Sequence, residues 1–365
     1  MKLSIGKQDL LTAINKVIKA TALRTSVPYL SGIMITVSDT DMTLFASDLE
    51  TSIETKVDCL VEEVGTIAVA GKILSNIVSA LPDTTVHLFE DGEFLKISAG
   101  QSEFQIRKIN TADFSTFPQI TSEQEALIPA NKLTMMIKKV SKAVSRDESR
   151  VVLTGVLLTI ENDLITMVST DSFRLALIEQ KLEKPVKGVF EVLIPGKVLD
   201  EVARMVGTSG LVRIEASANQ ILFTFDDTKM VTRRLEGKFP NWKQLMPSTF
   251  ATKTIVDHSE LLDSVKRVSL LALNNAAITV TVSAEDQTLS LSAKTQELGA
   301  ANESILVKAE GEDNNIAINY SYFIDGLTSI NSDTVYLEIQ DPLKPGIVRA
   351  PEENFTYLVM PVRAQ

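Results

Sequence analysis

The side chains in this sequence that could carry chemistry are few and scattered. Ser4-Ile5-Gly6-Lys7 has the S-x-x-K spacing of a serine nucleophile beside a lysine base, but the companion S-D-N and K-T-G segments occur nowhere in the chain. Gly65 to Lys72 is a loose version of a phosphate-binding loop. Five residues separate its glycines instead of four, and Ile73 stands where the magnesium-binding hydroxyl belongs. His87 and His258 have no partner at metal-ligand spacing, and ordinary structural roles fit both. The single cysteine, Cys59, excludes an internal disulfide framework and a four-cysteine metal site. Asp48 and Asp171 sit in the similar contexts Ser47-Asp48-Leu49 and Thr170-Asp171-Ser172, each after a strand-like run, which suits a turn or cap better than catalysis. With no nucleophile beside a base and no defensible carboxylate pair, the expectation is a protein that is not an enzyme and needs no cofactor.

A charge pattern is more informative. Ala130 to Arg146 reads as a helix with Leu133, Ile137 and Val140 along one apolar stripe. Lys132, Lys138, Lys139, Lys142 and Arg146 occupy much of the remaining surface with no acid among them, in a chain of net charge −11. The stripe recurs as Leu10, Ile14, Val17 and as Leu261, Val265, Val268, each preceded by a short alternating strand and followed by a strand–turn–strand pattern. Gly32 to Val37, Gly155 to Ile160 and Ala277 to Val282 are the leading strands of those hairpins. A second helix follows in each case, at Gly71 to Leu81, Pro195 to Val206 and Asn319 to Ile330. First helices are displaced by 123 and 128 residues and second helices by 125 and 125, so two independent landmarks give one period. A period this long means whole repeated domains and not a solenoid of short repeats. The boundaries expected are 1–122, 123–251 and 252–365, each an α+β unit with two helices packed on antiparallel sheets.

The six helical segments carry +3, +1, +5, 0, −1 and −1 in chain order, together +7, which leaves −18 for everything else. Helices on one side of each sheet would give one basic and one strongly acidic face, an arrangement that holds a polyanion at the helices and repels it elsewhere. Lysine contacts to phosphate are blind to sequence and compatible with sliding. The basic helices, Lys7 to Arg24, Gly71 to Leu81 and Ala130 to Arg146, lack the interleaved aromatics of a single-strand binder, which favours duplex DNA. Neither an apolar leader nor a stretch near the roughly 18 apolar residues of a membrane span is present. The expectation is a soluble cytoplasmic protein without a membrane partner.

Three segments resemble the family of bacterial DNA polymerase III beta subunits, the replicative sliding clamps: Thr170-Asp171-Ser172-Phe173-Arg174-Leu175-Ala176, Phe239-Pro240-Asn241-Trp242-Lys243-Gln244-Leu245-Met246-Pro247, and the ending Tyr357-Leu358-Val359-Met360-Pro361-Val362-Arg363. The resemblance spans the whole chain. It implies a processivity factor that encircles duplex DNA as a head-to-tail homodimer, six domains in a ring with helices lining the hole. It further implies that the replicative DNA polymerase, the clamp loader and other proteins with a clamp-binding motif dock a short peptide between the second and third domains.

Carried over by motif, the pocket wall would comprise Arg150, Leu153, Thr170, Ser172, Phe173 and Arg174. Leu175, Pro240, Leu245, Tyr322, Leu358 and Met360 would complete it, giving an apolar cleft with two guanidiniums at its edge. Arg24, Lys72, Lys142, Arg146 and Lys197 would face DNA, and Phe104 and Ile106 would meet Leu270 and Leu271 of the partner in the dimer. The chain departs from the family at Phe173, where His or Tyr is common, and at Val152, where some relatives carry an aromatic. Two rivals remain on the residues alone: an open, monomeric DNA-binding scaffold with the same repeat, and a hydrolase built around Asp171.

Overall fold

The computed structural model describes residues 1–22, 24–186, 188–272, 276–295 and 299–363. The first repeat runs β1 (Lys2–Gly6), α1 (Lys7–Val17), β2 (Gly32–Val37), β3 (Asp41–Ser47), β4 (Thr51–Asp58), β5 (Leu60–Glu63), β6 (Gly65–Ala70), α2 (Gly71–Ala80), β7 (Thr85–Asp91), β8 (Phe94–Ala99) and β9 (Ser102–Ile109). The second runs β10 (Gln124–Pro129), α3 (Ala130–Val140), β11 (Gly155–Glu161), β12 (Leu164–Thr170), β13 (Arg174–Lys181), β14 (Val189–Pro195), α4 (Gly196–Met205), β15 (Leu211–Ala216), β16 (Gln220–Phe225) and β17 (Thr228–Arg233). The third runs β18 (Thr252–Asp257), α5 (His258–Ser269), β19 (Ala277–Ser283), β20 (Thr288–Thr295), β21 (Gly299–Leu306), β22 (Lys308–Gly311), β23 (Asn314–Asn319), α6 (Tyr320–Leu327), β24 (Thr334–Ile339), β25 (Gly346–Ala350) and β26 (Phe355–Val359). The order is the same three times, except that among the described residues the second repeat lacks the counterpart of β5 and β22.

The chain separates into two compact units, residues 1–131 with 204–234, and residues 132–203 with 235–365. The first unit holds one 13-stranded sheet ordered β10-β15-β16-β17-β4-β3-β2-β6-β9-β8-β7-β1-β5. The second holds a nine-stranded sheet, β14-β11-β12-β13-β26-β25-β24-β18-β22, and a four-stranded one, β21-β20-β19-β23. Among the described residues all the strand pairings are antiparallel, and two of them join repeats. The last strand of the second repeat, β17, pairs with β4 of the first, setting Met230 opposite Ile53. The last strand of the third repeat, β26, pairs with β13 of the second, setting Tyr357 opposite Ala176. Their counterparts are left over. Among the described residues, the outer side of β9 meets β6 only at Lys108 and Ile109, and β21 ends its sheet with β20 as its sole neighbour.

The apolar stripes are buried as their spacing requires. Leu10, Ile14 and Val17, Leu133, Ile137 and Val140, and Leu261, Val265 and Val268 are each no more than 2% exposed. Burying such side chains stabilises by about 1.5–3 kcal/mol apiece. Helix starts follow local chemistry: the Asp257 carboxylate accepts from the Glu260 amide at 2.8 Å, and Asn319 accepts from Ser321 at 2.9 Å.

The helix expected to reach Arg146 ends at Val140. The buried Ser169 hydroxyl donates to the Val140 carbonyl at 2.5 Å, one tight turn covers Ser141–Ala143, and Val144 is extended. The strand expected through Leu60 breaks at Cys59 into β4 and β5. The loose phosphate-loop match at Gly65 to Lys72 is strand β6 running into α2, with Gly65 to Ala70 paired in register to β2, so it contains no loop to cradle a phosphate.

Candidate functional site

The turn between β12 and β13 is built by one aspartate. Asp171 Oδ1 accepts from the amides of Phe173 at 2.9 Å and Arg174 at 3.0 Å, which holds Ser172 at φ +79°. The first repeat does the same: Asp48 Oδ1 accepts from Glu50 at 3.0 Å and Thr51 at 2.7 Å, with Leu49 at φ +77°. A non-glycine residue in the left-handed region costs roughly 1–2 kcal/mol, which the two amide bonds offset. The conformation throws Phe173 outward, 54% exposed, while Arg174 turns back toward the protein. The recurring aspartate is therefore a turn-former, and no free oxygen pair at Asp171 is poised as a hydrolytic base.

Arg174 is held from three sides. Its Nε donates to Asp171 Oδ2 at 2.9 Å, and its Nη1 donates to Asp325 Oδ2 at 2.5 Å and to the Tyr357 hydroxyl at 3.3 Å. Burial alone would lower the pKa of the guanidinium. The Tyr357 oxygen and the two carboxylates outweigh that penalty and raise it. Burial likewise pushes the Tyr357 phenol well above its ordinary value, so that hydroxyl stays neutral. The guanidinium lies 4.4 Å from the centre of the Tyr322 ring, and Tyr322 stacks on Phe173 at 6.4 Å and 25°. Helix α6 supplies both Tyr322 and Asp325, three residues apart on one face. The backbone closes the corner, with the Met360 amide donating to the Phe173 carbonyl at 2.8 Å.

The floor is apolar. Val168, Leu175, Leu177, Leu193, Phe239, Ile347 and Leu358 form a buried cluster, against which Val152, Trp242, Met246 and Met360 pack while partly exposed. Of the pocket residues expected, Leu153, Thr170, Leu175 and Leu358 are buried in the core, so they shape the floor without offering surface. Phe173, Ser172, Pro240 and Leu245 are exposed; Arg150, Arg174, Tyr322 and Met360 are half-buried. Arg150 donates to Asp147 and to the Ser172 hydroxyl, both at 3.0 Å. The two guanidiniums expected at the edge are thus both partnered within the chain. Asp325, Tyr357, Met246 and Ile347 are part of this site and were not legible from spacing. Only the offset of Asp325 from Tyr322, one helical turn, could have pointed to it.

The remaining expected residues fall differently. Arg24, Lys72 and Arg146 are exposed, and Lys197 is exposed within 3.3 Å of Glu148. Lys142 is half-buried, donates to Thr328 at 2.6 Å, and burial lowers its pKa. Lys139, counted with the basic surface, is instead buried: it pairs with Glu353, donates to the Ser329 carbonyl at 2.8 Å and sits 5.1 Å from the Phe355 ring. Phe104 is 41% and Leu270 70% exposed, whereas Leu271 is half-buried and Ile106 belongs to the core. Ser4 and His87 meet across β1 and β7 at 2.7 Å, as their strand register requires. His258 bonds the Leu327 carbonyl at 2.9 Å.

Comparison with known proteins covers the whole chain. The N-terminal, central and C-terminal domains of the DNA polymerase III beta subunit match residues 1–118, 127–241 and 243–363. The beta sliding clamp of Bacillus subtilis is 31% identical over 376 residues, covering all of both chains, and that of Synechocystis is 31% identical over all of this chain and 99% of its own. Among solved structures, the DNA polymerase sliding clamp of Bacillus subtilis superposes with TM-score 0.94 at 30% identity. The Pseudomonas aeruginosa clamp bound to griselimycin does so with TM-score 0.95 at 26% identity, again over all of both chains. Three repeats in one element order, an internal turn reproduced from first to second, and full-length similarity to these proteins give one conclusion: the chain belongs to the DNA polymerase III beta subunit family, the bacterial beta sliding clamps.

Proposed function

We propose that two copies of this chain close head to tail into a ring around duplex DNA, β9 of one copy pairing with β21 of the other at each of two seams. The protein is a sliding clamp, a non-catalytic processivity factor, and ring closure is how it would hold DNA without reading its sequence. The observation that carries this is the pair of leftover strand edges. Twice within the chain the last strand of one repeat pairs with the strand that opens at the turn of the preceding repeat. Among the described residues, the members of that series without such a partner are β9 and β21, and unpaired edges invite pairing.

The two pairings inside the chain also support one register for the proposed seam. Met230 and Tyr357, third in their strands, lie opposite Ile53 and Ala176, third in theirs, and are 2% and 0% exposed. The third residue of β9 is Phe104 and that of β21 is Ala301, so Phe104 would cover Ala301 of the second copy and lose its exposure. Leu270 and Leu271 would extend the same apolar seam from the end of α5. Cross-strand Cα atoms lie about 4.5–5.5 Å apart, within disulfide reach. The double variant Phe104→Cys/Ala301→Cys should therefore oxidise to a covalent dimer, while either single variant should not. Cross-linking by Phe104→Cys alone would mean a head-to-head pairing and overturn the reading.

The three clamp domains would divide near 1–122, 123–251 and 252–365, with Arg24, Lys72, Lys142, Arg146 and Lys197 turned to phosphates. Lys142 would contribute least, since its ammonium already serves Thr328. The apolar cleft around Phe173, Tyr322, Leu245 and Met360 would receive an extended peptide from the polymerase, the loader or other clamp-binding proteins. Tethering raises local concentration, so a weak peptide contact suffices to retain a polymerase. No helix among the described residues is long and apolar enough to cross a membrane; a cytoplasmic setting fits a protein that acts on replicating DNA.

A further inference from the structure

The sheet of the second repeat carries a hollow on one face that the proposed function leaves unused. Across β14, β11, β12 and β13 the pairing sets Glu191 opposite Thr159, Thr159 opposite Thr166 and Thr166 opposite Glu179, one row of side chains on one face. The hollow along this row encloses about 150 Å³. Glu161 and Leu164, in the next row, close one end. Leu157 and Trp242, packed on the buried cluster of Val168, Leu177 and Leu193, close the other. Thr166 is only 7% exposed, yet its hydroxyl has no hydrogen-bond partner among the described residues. Buried hydroxyls are nearly always paired, so this one marks a place for a donor. The carboxylates of Glu161 and Glu179 make no ion pair among the described residues either. Of the charged groups lining the hollow, three are carboxylates and one is the Lys243 ammonium, which lies 5.6 Å from the centre of the Trp242 ring. Lys181 stands in the row of Leu164, and Lys132 reaches its carbonyl at the end of β13, both outside the lining. The lining is therefore negative; it repels phosphate and attracts a cation.

We infer that this hollow is a binding site for one arginine side chain of a partner protein, separate from the peptide cleft. No group of His, Cys, Asp and Glu among the described residues is arranged to hold a metal ion, so the cation that fits is an organic one. A guanidinium is flat and carries five N–H donors in a fixed fork, so one edge can donate to Glu179 while another donates to the Thr166 hydroxyl. A lysine ammonium is a point charge and spans the row less well. The space admits the end of one long side chain and is too small for a helix, whose diameter is about 10–12 Å. Lys243 competes for the same carboxylates from the rim.

Trp242 is the only tryptophan of the chain, so its emission reports on the hollow directly. The test titrates the full-length protein with N-acetyl-Gly-Arg-Gly-amide, and with the citrulline peptide, which has the same shape without the charge. The arginine peptide should change the Trp242 emission saturably, with half-saturation on the order of millimolar, and the citrulline peptide should not saturate in that range. The corresponding lysine peptide should bind about threefold more weakly. Glu179→Gln should weaken the arginine peptide about fivefold and Thr166→Val about threefold, while Thr166→Ser, which keeps the hydroxyl, should stay within about 1.5-fold of the parent. Lys243→Ala, which removes the competing cation, should tighten binding about twofold. Glu285→Gln, at an exposed carboxylate of the third repeat, should change it by less than about 1.5-fold, which separates a site from the general acidity of the chain. The inference is overturned if the arginine and citrulline peptides behave alike, or if Glu179→Gln binds arginine as the parent does. Equal binding by Thr166→Val and Thr166→Ser would also overturn it; should Thr166→Val fail to fold, the Glu179 variant decides. Loss of the signal in Phe173→Ala would place the probe in the peptide cleft and remove the second site.

Discussion

Lys139 shows how one residue can mislead a reading by charge. It is one of five cations with no acid in the same segment, yet it lies beside the buried stripe and points inward, 3% exposed, to meet Glu353 and the Ser329 carbonyl. Its partner is 214 residues away, so nothing in the local sequence reveals the pair. Removing one member of a buried pair strands the other's charge, at a cost of about 3–5 kcal/mol. Lys139→Ala should lower stability to urea by that amount, whereas Lys138→Ala, on the exposed side of the same helix, should change it by less than about 0.5 kcal/mol. Asp171 was read correctly as a turn-former because it recurs in register with Asp48. Its second task, holding Arg174 by the other oxygen, depends on the folded turn and was not legible.

Elements were legible where local patterns fixed them. The stripes of α1, α3 and α5 and the leading hairpin strands needed only periodicity, and β2 spans Gly32 to Val37 as alternation required. Ends set by distant groups were not: α3 stops because Ser169, 29 residues on, takes the Val140 carbonyl. Helix α5 offers a test of a local end. Its cap, Asp257, has its pKa lowered chiefly because the Glu260 amide donates to the carboxylate, with Ser259 assisting. A depressed carboxylate contributes stability above its unfolded pKa and loses it as pH falls through the folded value. Asp257→Ala should therefore cost about 1 kcal/mol at neutral pH. The difference from the parent should shrink in acid below the usual carboxylate range; a cost that grows there would contradict the cap.

At the scale of the molecule, the period of about 125 residues was visible because two helices per repeat mark it, and the family segments agreed with it. Which strands join the repeats was not visible, since β17 to β4 and β26 to β13 are pairings across more than 170 residues that no local pattern encodes. Among the described residues those pairings leave β21 at the end of its sheet and most of the outer side of β9 unpaired, with Phe104 an exposed aromatic where its two counterparts are buried. Phe104→Asp should place a charge in the dimer seam and shift sedimentation at micromolar concentration from dimer to the 40.0 kDa protomer. The most direct test of ring closure is retention on DNA after loading. The clamp should stay on a closed or nicked circle through a high-salt wash, and leave within minutes once a single cut linearises it. Equal retention on circular and linear DNA, or loss from both with rising salt, would mean that the protein holds DNA by contact and not by enclosure.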